Sequence, residues 1–184
     1  CTEGGIQLGE VWMMMAYAKI GKTTWLCNQG FNAGRISREK VLHIQLEGKL
    51  SQTEAKYDSL YSGELYANVR RGEITPAALR ELQAEYFRMR GSLVIRRWSD
   101  WDVNILKIEA EVQALKAQGF VPKMVIIDYL DLMRAREKKD SETAHQIAAA
   151  RDIKSFAMNH EVAVHTASQA QRPRENADET EHIL

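Results

Sequence analysis

Short apolar runs alternate along the chain with longer stretches in which apolar residues recur every three or four positions. The short runs predict strands at Val11–Ala16, Val41–Leu46, Leu93–Trp98, Met124–Asp128 and Val162–Ala167. The longer stretches predict helices at Thr23–Asn32, Gln52–Ser62, Ala77–Met89, Val103–Gln118 and Glu142–Asn159. This alternation is typical of an α/β fold in which a mostly parallel, twisted sheet carries helices on both faces.

Residues that begin and end helices agree with this pattern. Thr75 followed by Pro76 is typical of a helix N-cap and first helical position, and Gly119 stands where a helix C-terminal glycine belongs. The chain has only 3 prolines and 11 glycines, too few for a flexible linker. We therefore predict a single domain over residues 1–184, and we expect it to be a piece of a longer protein.

Composition excludes several classes of protein. With 184 residues, 45% hydrophobic and 27% charged, the chain is typical of a soluble globular domain. The 2 cysteines exclude a disulfide framework and a zinc site of four cysteines. No signal peptide or apolar run of membrane-spanning length is present, so we expect a cytoplasmic protein that does not enter a membrane. Lys plus Arg and Asp plus Glu both number 25, so net charge alone does not indicate a nucleic-acid partner.

The turn after the first predicted strand is a candidate phosphate-binding loop. Ligands of such sheets bind beyond the carboxyl ends of the strands, and Gly21-Lys22-Thr23 has the second half of the G-x-x-x-x-G-K-S/T pattern. Ala16 stands in the position of the first glycine. The candidate phosphate-binding residues are Ala18, Lys19, Ile20, Gly21, Lys22, Thr23 and Thr24. The alternative is an ordinary β-α turn with a solvated lysine.

Polar residues after three other strands suit a nucleoside triphosphate. Asp128 would hold magnesium together with the Thr23 hydroxyl, whereas alone it would more simply end a strand. Glu47 is placed to activate the water that attacks the γ-phosphate, although a structural role suits a lone glutamate equally well. Gln169 offers a neutral amide to the γ-phosphate, so we predict that Glu47, Lys22 and Gln169 carry the chemistry. Asp131, three residues after Asp128, is either a further acid of the site or a surface acid.

Taken in order, these motifs resemble the RecA-fold motor domain of DnaB-like replicative ring helicases, with phage-encoded relatives the most similar. The resemblance extends over residues 5–173, and in that family the phosphate loop opens with alanine, as Ala16 does here. The family motifs "LE", "IDYL" and "SQ" correspond to Leu46-Glu47, Ile127–Leu130 and Ser168-Gln169. The resemblance implies a RecA-like P-loop NTPase that hydrolyses Mg-ATP, moves along single-stranded DNA and unwinds duplex DNA during replication.

The resemblance also implies partners. The family forms homo-oligomeric rings, usually hexamers, and works with a primase or a loader in a bacterial or phage-infected cell. Its arginine finger follows the sensor motif, and we assign none here. Cations in two loops that would face the ring channel are candidate DNA contacts: Arg134, Arg136, Lys138, Lys139, Arg172 and Arg174. The alternative for each is a solvated loop charge.

Three other functions remain open on the residues alone. The same fold serves recombinases and clock-type ATPases, in which ATP controls assembly on DNA rather than strand separation. A small-molecule P-loop kinase would need an arginine-rich lid and an acceptor pocket, which "RPRENADETE" does not supply. A nucleotide- or DNA-binding module without turnover is the fourth interpretation. His43 and His165 lack ligand spacing and are predicted to be core or cleft neighbours.

Overall fold

A computed structural model describes residues 5–88, 91–98, 103–136 and 141–170. The strands are β1 (Val11–Ala16), β2 (Val41–Gln45), β3 (Leu93–Arg97), β4 (Met124–Asp128) and β5 (Ala163–Gln169). The helices are α1 (Lys22–Arg35), α2 (Leu50–Ser62), α3 (Tyr66–Arg71), α4 (Pro76–Arg88), α5 (Ile105–Ala117) and α6 (Glu142–His160). A single 3₁₀ turn, Leu130–Leu132, follows β4.

The five strands form one parallel sheet in the order β1-β5-β4-β2-β3. The strand register pairs Ala16 with Gln169 and Gln45 with Asp128. Because all strands run the same way, the loops that follow them meet at one edge of the sheet. This confirms the predicted parallel α/β arrangement and brings the motif-bearing loops to the same side of the molecule.

Alternate residues of the central strands supply two separate cores. On one face, Val125 and Ile127 of β4 pack in a cluster with residues of α5 and α6. On the other face, Met124 and Ile126 pack with Leu26 of α1. The period-two alternation of a strand explains why a continuous apolar run fills both faces, so helices lie on both sides of the sheet as predicted.

Local signals at helix ends act as the sequence indicates, with one exception. The backbone N–H of Ala78 donates to the Thr75 hydroxyl, 3.1 Å away, and Pro76 is the first residue of α4. Gly119 has a left-handed φ of +82° just after α5. The cap of α5 is Asn104, whose side chain accepts from the Lys107 N–H. The helix therefore begins at Ile105, two residues after the predicted start at Val103.

The observed elements also differ from the predicted ones in number, burial and extent. The helix α3 was not predicted, because its six residues include none that is buried. The strand β1 is less buried than its apolar sequence suggests, since it is an edge strand and leaves Met13 and Met15 exposed. The strand β5 extends to Gln169, so that Gln169 ends the strand rather than following it. Among the described helices, none has the length and apolar character needed to cross a bilayer.

Candidate active site

The loop between β1 and α1 has the geometry of an anion cradle. Lys19 and Gly21 have left-handed φ values of +66° and +97°, and α1 begins directly after Gly21. No side chain caps this helix, and its first turn has no acidic residue. Its free N–H groups and the positive end of its dipole therefore point into an exposed loop that includes Tyr17, Ala18 and Ile20. This environment suits phosphate oxygens.

The side chain of Lys22 lies against the loop between β1 and α1. Its ammonium group donates to the carbonyl oxygens of Ala16 at 3.2 Å and Tyr17 at 3.5 Å. It also stands 5.5 Å from the ring centroid of Tyr129. These contacts hold the cation beside the first position of the loop, within the concave path of the backbone. The neighbouring Thr24 is exposed at the helix surface.

Thr23 and Asp128 meet at the carboxyl edge of the sheet. The Thr23 hydroxyl donates a hydrogen bond to the Asp128 carboxylate, which is only 4% exposed. Burial raises the pKa of Asp128, and the negative charge of Glu47 adds to this effect. The Thr23 bond and the positive charges of Lys56 and Lys22 act in the opposite direction. A hydroxyl and a buried carboxylate side by side form a pair of oxygen donors that suits Mg²⁺.

A cavity of about 340 Å³ joins these residues to Glu47. Its lining residues are Thr23, Gln45, Glu47, Gly48, Gln52, Thr53, Lys56 and Asp128. The structure therefore brings three of the predicted site residues, Thr23, Glu47 and Asp128, together in one cavity. This convergence joins the start of α1, the loop after β2 and the last residue of β4.

The loop that carries Glu47 is held by Gln45. The Gln45 amide donates to the carbonyl oxygen of Glu47 at 2.6 Å. Gly48 has a φ of +80°, and a Cβ there would lie 3.2 Å from the Gln45 amide nitrogen, so glycine suits this sharp turn. The Tyr129 hydroxyl donates a hydrogen bond to the Glu47 carboxylate. Burial raises the pKa of Tyr129, and the negative charge of Glu47 raises it further. Glu47 is thus an exposed carboxylate that lines the cavity and is held by Tyr129.

Lys56 is a cation of this cavity that the sequence analysis did not identify. It lies on α2 one helical turn from Gln52 and Thr53, which line the same cavity. Its positive charge lowers the pKa of Asp128, against the larger effect of burial. The i, i+1, i+4 spacing of Gln52, Thr53 and Lys56 places them on one face of the helix. This spacing is the sequence signal from which a shared location could have been predicted.

Gln169 is attached to the site through Asp131. The Asp131 carboxylate accepts from the Ser168 hydroxyl at 2.8 Å and from the Gln169 backbone N–H at 2.7 Å. The next N–H, that of Ala170, donates to the Ala16 carbonyl at 3.1 Å. Asp131 therefore connects the turn after β4 to the end of β5, beside the start of the phosphate-type loop. Asp131 is thus occupied in bonds to Ser168 and Gln169, a supporting role that neither interpretation of the sequence included.

The predicted DNA-binding cations are described only in part. Arg134 and Arg136 follow the 3₁₀ turn and are exposed. The Arg136 guanidinium lies 3.9 Å from the Glu109 carboxylate, and its backbone N–H donates to Asp152. The remaining four cations lie outside the described residues: Lys138, Lys139, Arg172 and Arg174.

The two strand histidines are buried in the core. Burial lowers the pKa of His43 to about 3 and that of His165 to about 4, so both rings are neutral at physiological pH. His43 Nδ1 hydrogen-bonds the Tyr57 hydroxyl at 2.9 Å, and His165 packs between Trp12 and Trp25. Within the described ranges, no group of three or more His, Cys, Asp or Glu side chains is arranged to hold a metal ion.

Comparison with known proteins shows the family to which the chain is similar. The model of the family described as DnaB-like helicase C terminal domain matches residues 2–183. The curated DnaB-like replicative helicase of Enterobacteria phage T4 is 23% identical over 175 residues, which are 91% of this chain and 36% of that protein. The chain therefore spans little more than a third of the length of this relative.

Two solved structures share the fold. One, described as an ATPase domain, superposes with a TM-score of 0.77 at 19% identity, over 91% of this chain and 60% of that one. The other, a DnaB-like replicative helicase solved in a study of its interactions with primase, gives a TM-score of 0.75 at 20% identity, over 91% of this chain and 40% of that one. These two likenesses confirm the predicted RecA-like fold.

Proposed function

The chain belongs to the DnaB-like helicase C-terminal domain family, as its motifs predicted, and from this premise we propose that it is the ATP-hydrolysing motor of a replicative DNA helicase. In this proposal it hydrolyses Mg-ATP to move along single-stranded DNA and to unwind the duplex. The observation that carries the proposal is the cavity at the carboxyl edge, which Thr23, Glu47 and Asp128 line beside the uncapped start of α1.

The binding of the triphosphate is assigned to the first loop. The N–H groups of residues 18–24 would surround the phosphates, and the Lys22 ammonium would exchange its carbonyl partners for phosphate oxygens. The Thr23 hydroxyl and the Asp128 carboxylate would hold Mg²⁺, which supplies charge neutralisation when bound. Burial of Asp128 from bulk water strengthens its attraction for a cation.

Hydrolysis and its signal are assigned to Glu47 and Gln169. Glu47 is exposed at the mouth of the cavity and is oriented by Tyr129, so its carboxylate would position and deprotonate the attacking water. Gln169 would report the state of the nucleotide, because its strand end is joined through Asp131 to the turn after β4. Hydrolysis would remove the γ-phosphate from the Gln169 amide, and the loss of this contact would be the signal.

DNA binding and assembly belong to the same proposal. Arg134 and Arg136, with the cations at residues 138, 139, 172 and 174, would follow the backbone of a single strand through the channel of a homohexameric ring. A primase or a loader would be the further protein partner, in the cytoplasm of a bacterial or phage-infected cell. Arginines of this kind track phosphates with little preference for sequence.

Two substitutions test the catalytic assignment. Lys22→Ala should weaken ATP binding by an order of magnitude or more, because it removes the cation that is held at the first position of the loop. Glu47→Gln should retain ATP binding and lose about a hundredfold or more of the turnover, because the amide cannot accept the proton of the water. Binding is measured by calorimetry and turnover by phosphate release.

The controls are matched in charge. Lys116→Ala at the end of α5 and the exposed Glu73→Gln make the same chemical changes away from the cavity. Both should leave binding and turnover within about twofold of the original protein, as expected for surface changes. Full turnover by the Glu47→Gln variant would refute the role of Glu47, and unchanged binding by Lys22→Ala would refute the phosphate loop.

A further inference from the structure

A basic cavity of about 450 Å³ lies at the amino ends of the strands, and the candidate active site lies at their carboxyl ends. Lys40 directly precedes β2 and Ser92 directly precedes β3, so the cavity is at the amino ends of these strands. Four cations line it, together with a single carboxylate: Arg35, Arg38, Lys40, Arg88 and Glu85. In a chain whose total charge balances to zero, this is a local concentration of positive charge.

The one carboxylate of this cavity orients its arginines. Glu85 is 2% exposed, and one of its oxygens accepts a hydrogen bond from Arg35 at 3.1 Å and forms an ion pair with Arg88 at 2.9 Å. One buried negative charge thus holds two guanidinium groups whose side chains are about half exposed. Arg88 also pairs with Glu81 at 3.1 Å and donates from Nε to the Ala84 carbonyl oxygen at 3.4 Å. Because a guanidinium group has five N–H donors, both arginines still keep donors that an anion can contact.

Arg38 is a cation without a partner among the residues that the structure describes. It is exposed in the loop between α1 and β2, where its backbone has a left-handed φ of +56°. Lys40, at the other side of the cavity, donates to the Gly119 carbonyl at 2.7 Å and retains two further donors. The basic cavity therefore has both fixed and free donors.

An aromatic cavity of about 400 Å³ adjoins the basic one. Gly91 and Ser92 line both cavities, so this turn is their shared wall. Tyr86 lines the aromatic cavity with about half of its surface exposed, and its ring lies 6.0 Å from that of the buried Tyr61. The Tyr86 hydroxyl donates to Asp58, which fixes the orientation of its ring.

We propose that the basic and aromatic cavities form one binding site for a nucleotide unit, with its phosphate among the arginines and its base against Tyr86. Guanidinium groups match phosphate oxygens in geometry, and an aromatic ring stacks on a base with little regard to its identity. The nucleotide unit could come from single-stranded nucleic acid or from a free nucleotide. The site is separate from the candidate active site, which is at the opposite edge of the sheet.

The first test measures binding of a fluorescent oligo(dT) by anisotropy. Arg38→Glu and Tyr86→Ala should each weaken binding by about tenfold, and Tyr86→Phe should keep most of it because the ring remains. Arg38→Glu should also lower the salt dependence of binding, since fewer counterions are released when a phosphate contact is lost. Arg38 has no partner to lose among the described residues, so its substitution should not affect folding.

The matched control is Arg80→Glu. This arginine is exposed on α4, lines neither cavity and makes the same change in net charge. If Arg38→Glu weakens oligo(dT) binding no more than Arg80→Glu does, nucleic acid is not the ligand. If Tyr86→Ala binds as the original protein does, the base is not held where we propose.

Two further arms identify the source and the location. Thymidine monophosphate and ATP are titrated against the Lys22→Ala variant, in which the phosphate loop is disabled; binding that Arg38→Glu abolishes would assign the site to free nucleotides. An oligonucleotide with iododeoxyuridine is photocrosslinked, and mass spectrometry should find the adduct on Tyr86. The proposal would be overturned if Arg38→Glu still bound both oligo(dT) and the free nucleotides, or if crosslinks formed only at other residues. ATP turnover tests the proposed motor function separately.

Discussion

The burial of Asp128, a proposed ligand of Mg²⁺, lowers the stability of the folded protein. Asp128 is 4% exposed, and burial raises its pKa, because the charged form is separated from water. Thr23 and the positive charges of Lys56 and Lys22 compensate only in part. The residue is therefore more suited to the proposed binding of a cation than to the stability of the protein alone.

This imbalance predicts that Asp128→Asn stabilises the protein at neutral pH. Because the folded pKa is raised above the unfolded value, the cost of ionisation is fully present above the folded pKa and disappears below the unfolded one. Asparagine keeps the acceptor for Thr23 and carries no charge. The melting temperature without nucleotide should rise by a few degrees, about 1 kcal/mol, at neutral pH, while turnover is lost.

The same variant contains its own control. In acid, where the carboxyl of the original protein is protonated, the two melting temperatures should converge. A difference that stays constant over pH would show that ionisation of Asp128 is not its cause. The measurement is thermal unfolding followed by circular dichroism across the acid range.

Some residues of the site could be read from the sequence, and others could not. Thr23, Glu47 and Asp128 lie at or just beyond the carboxyl ends of strands, so a parallel sheet brings them to the same end. Lys56 and Asp131 reach the site through the packing of α2 and through a turn after β4, and these contacts depend on tertiary structure. Residues placed by helix packing have no equally direct signal in a single sequence.

At the scale of elements, the sequence predicts where the strands lie along the chain better than where they lie in the sheet. Each of the five apolar runs forms a strand, because a strand covered on both faces needs a continuous run of apolar residues. The position of β1 at the edge of the sheet depends on strand order, which the run Val11–Ala16 does not encode. The short α3 was missed since it has no buried face to give periodicity.

The packing of α1 against its neighbours depends on Gly30. A Cβ at this position would overlap the Tyr57 hydroxyl and would lie 2.8 Å from Ile126 Cδ1. Tyr57 cannot turn away freely, because its hydroxyl is bound to the buried His43. The close approach of α1 to α2 and β4 therefore requires a residue without a side chain.

We predict that Gly30→Ala destabilises the protein by about 1–3 kcal/mol through overpacking. Helix propensity alone would give the opposite sign, since alanine is favoured over glycine by about 1 kcal/mol inside a helix. Urea unfolding measures the difference. The same substitution in a Tyr57→Phe background should cost less, because one of the two overlapping groups is absent. A gain in stability from Gly30→Ala would show that the helix is not held this closely.

At the scale of the whole molecule, the sheet has different chemistry at its two edges. The carboxyl edge carries the cavity with Thr23, Glu47 and Asp128, and the amino edge of β2 and β3 carries the basic and aromatic cavities. Strand β2 connects them, since Lys40 precedes it and Glu47 follows it. The two proposed sites therefore lie at opposite ends of the strands, and the balanced net charge of the chain indicates neither of them.

The motor proposal predicts that ATP turnover depends on assembly and on DNA. In this family an arginine of a neighbouring subunit completes the active site, and such a residue commonly contributes orders of magnitude to hydrolysis, so the monomer should turn over slowly. When oligomers form, oligo(dT) should raise the turnover by about tenfold or more, because the loop with Arg134 and Arg136 follows the strand that ends in Asp128. Phosphate release with and without DNA, alongside mass photometry, measures both dependences. An assembled ring that hydrolyses ATP at the same rate without DNA would instead favour an ATPase of the recombinase or clock type, in which the nucleotide controls assembly.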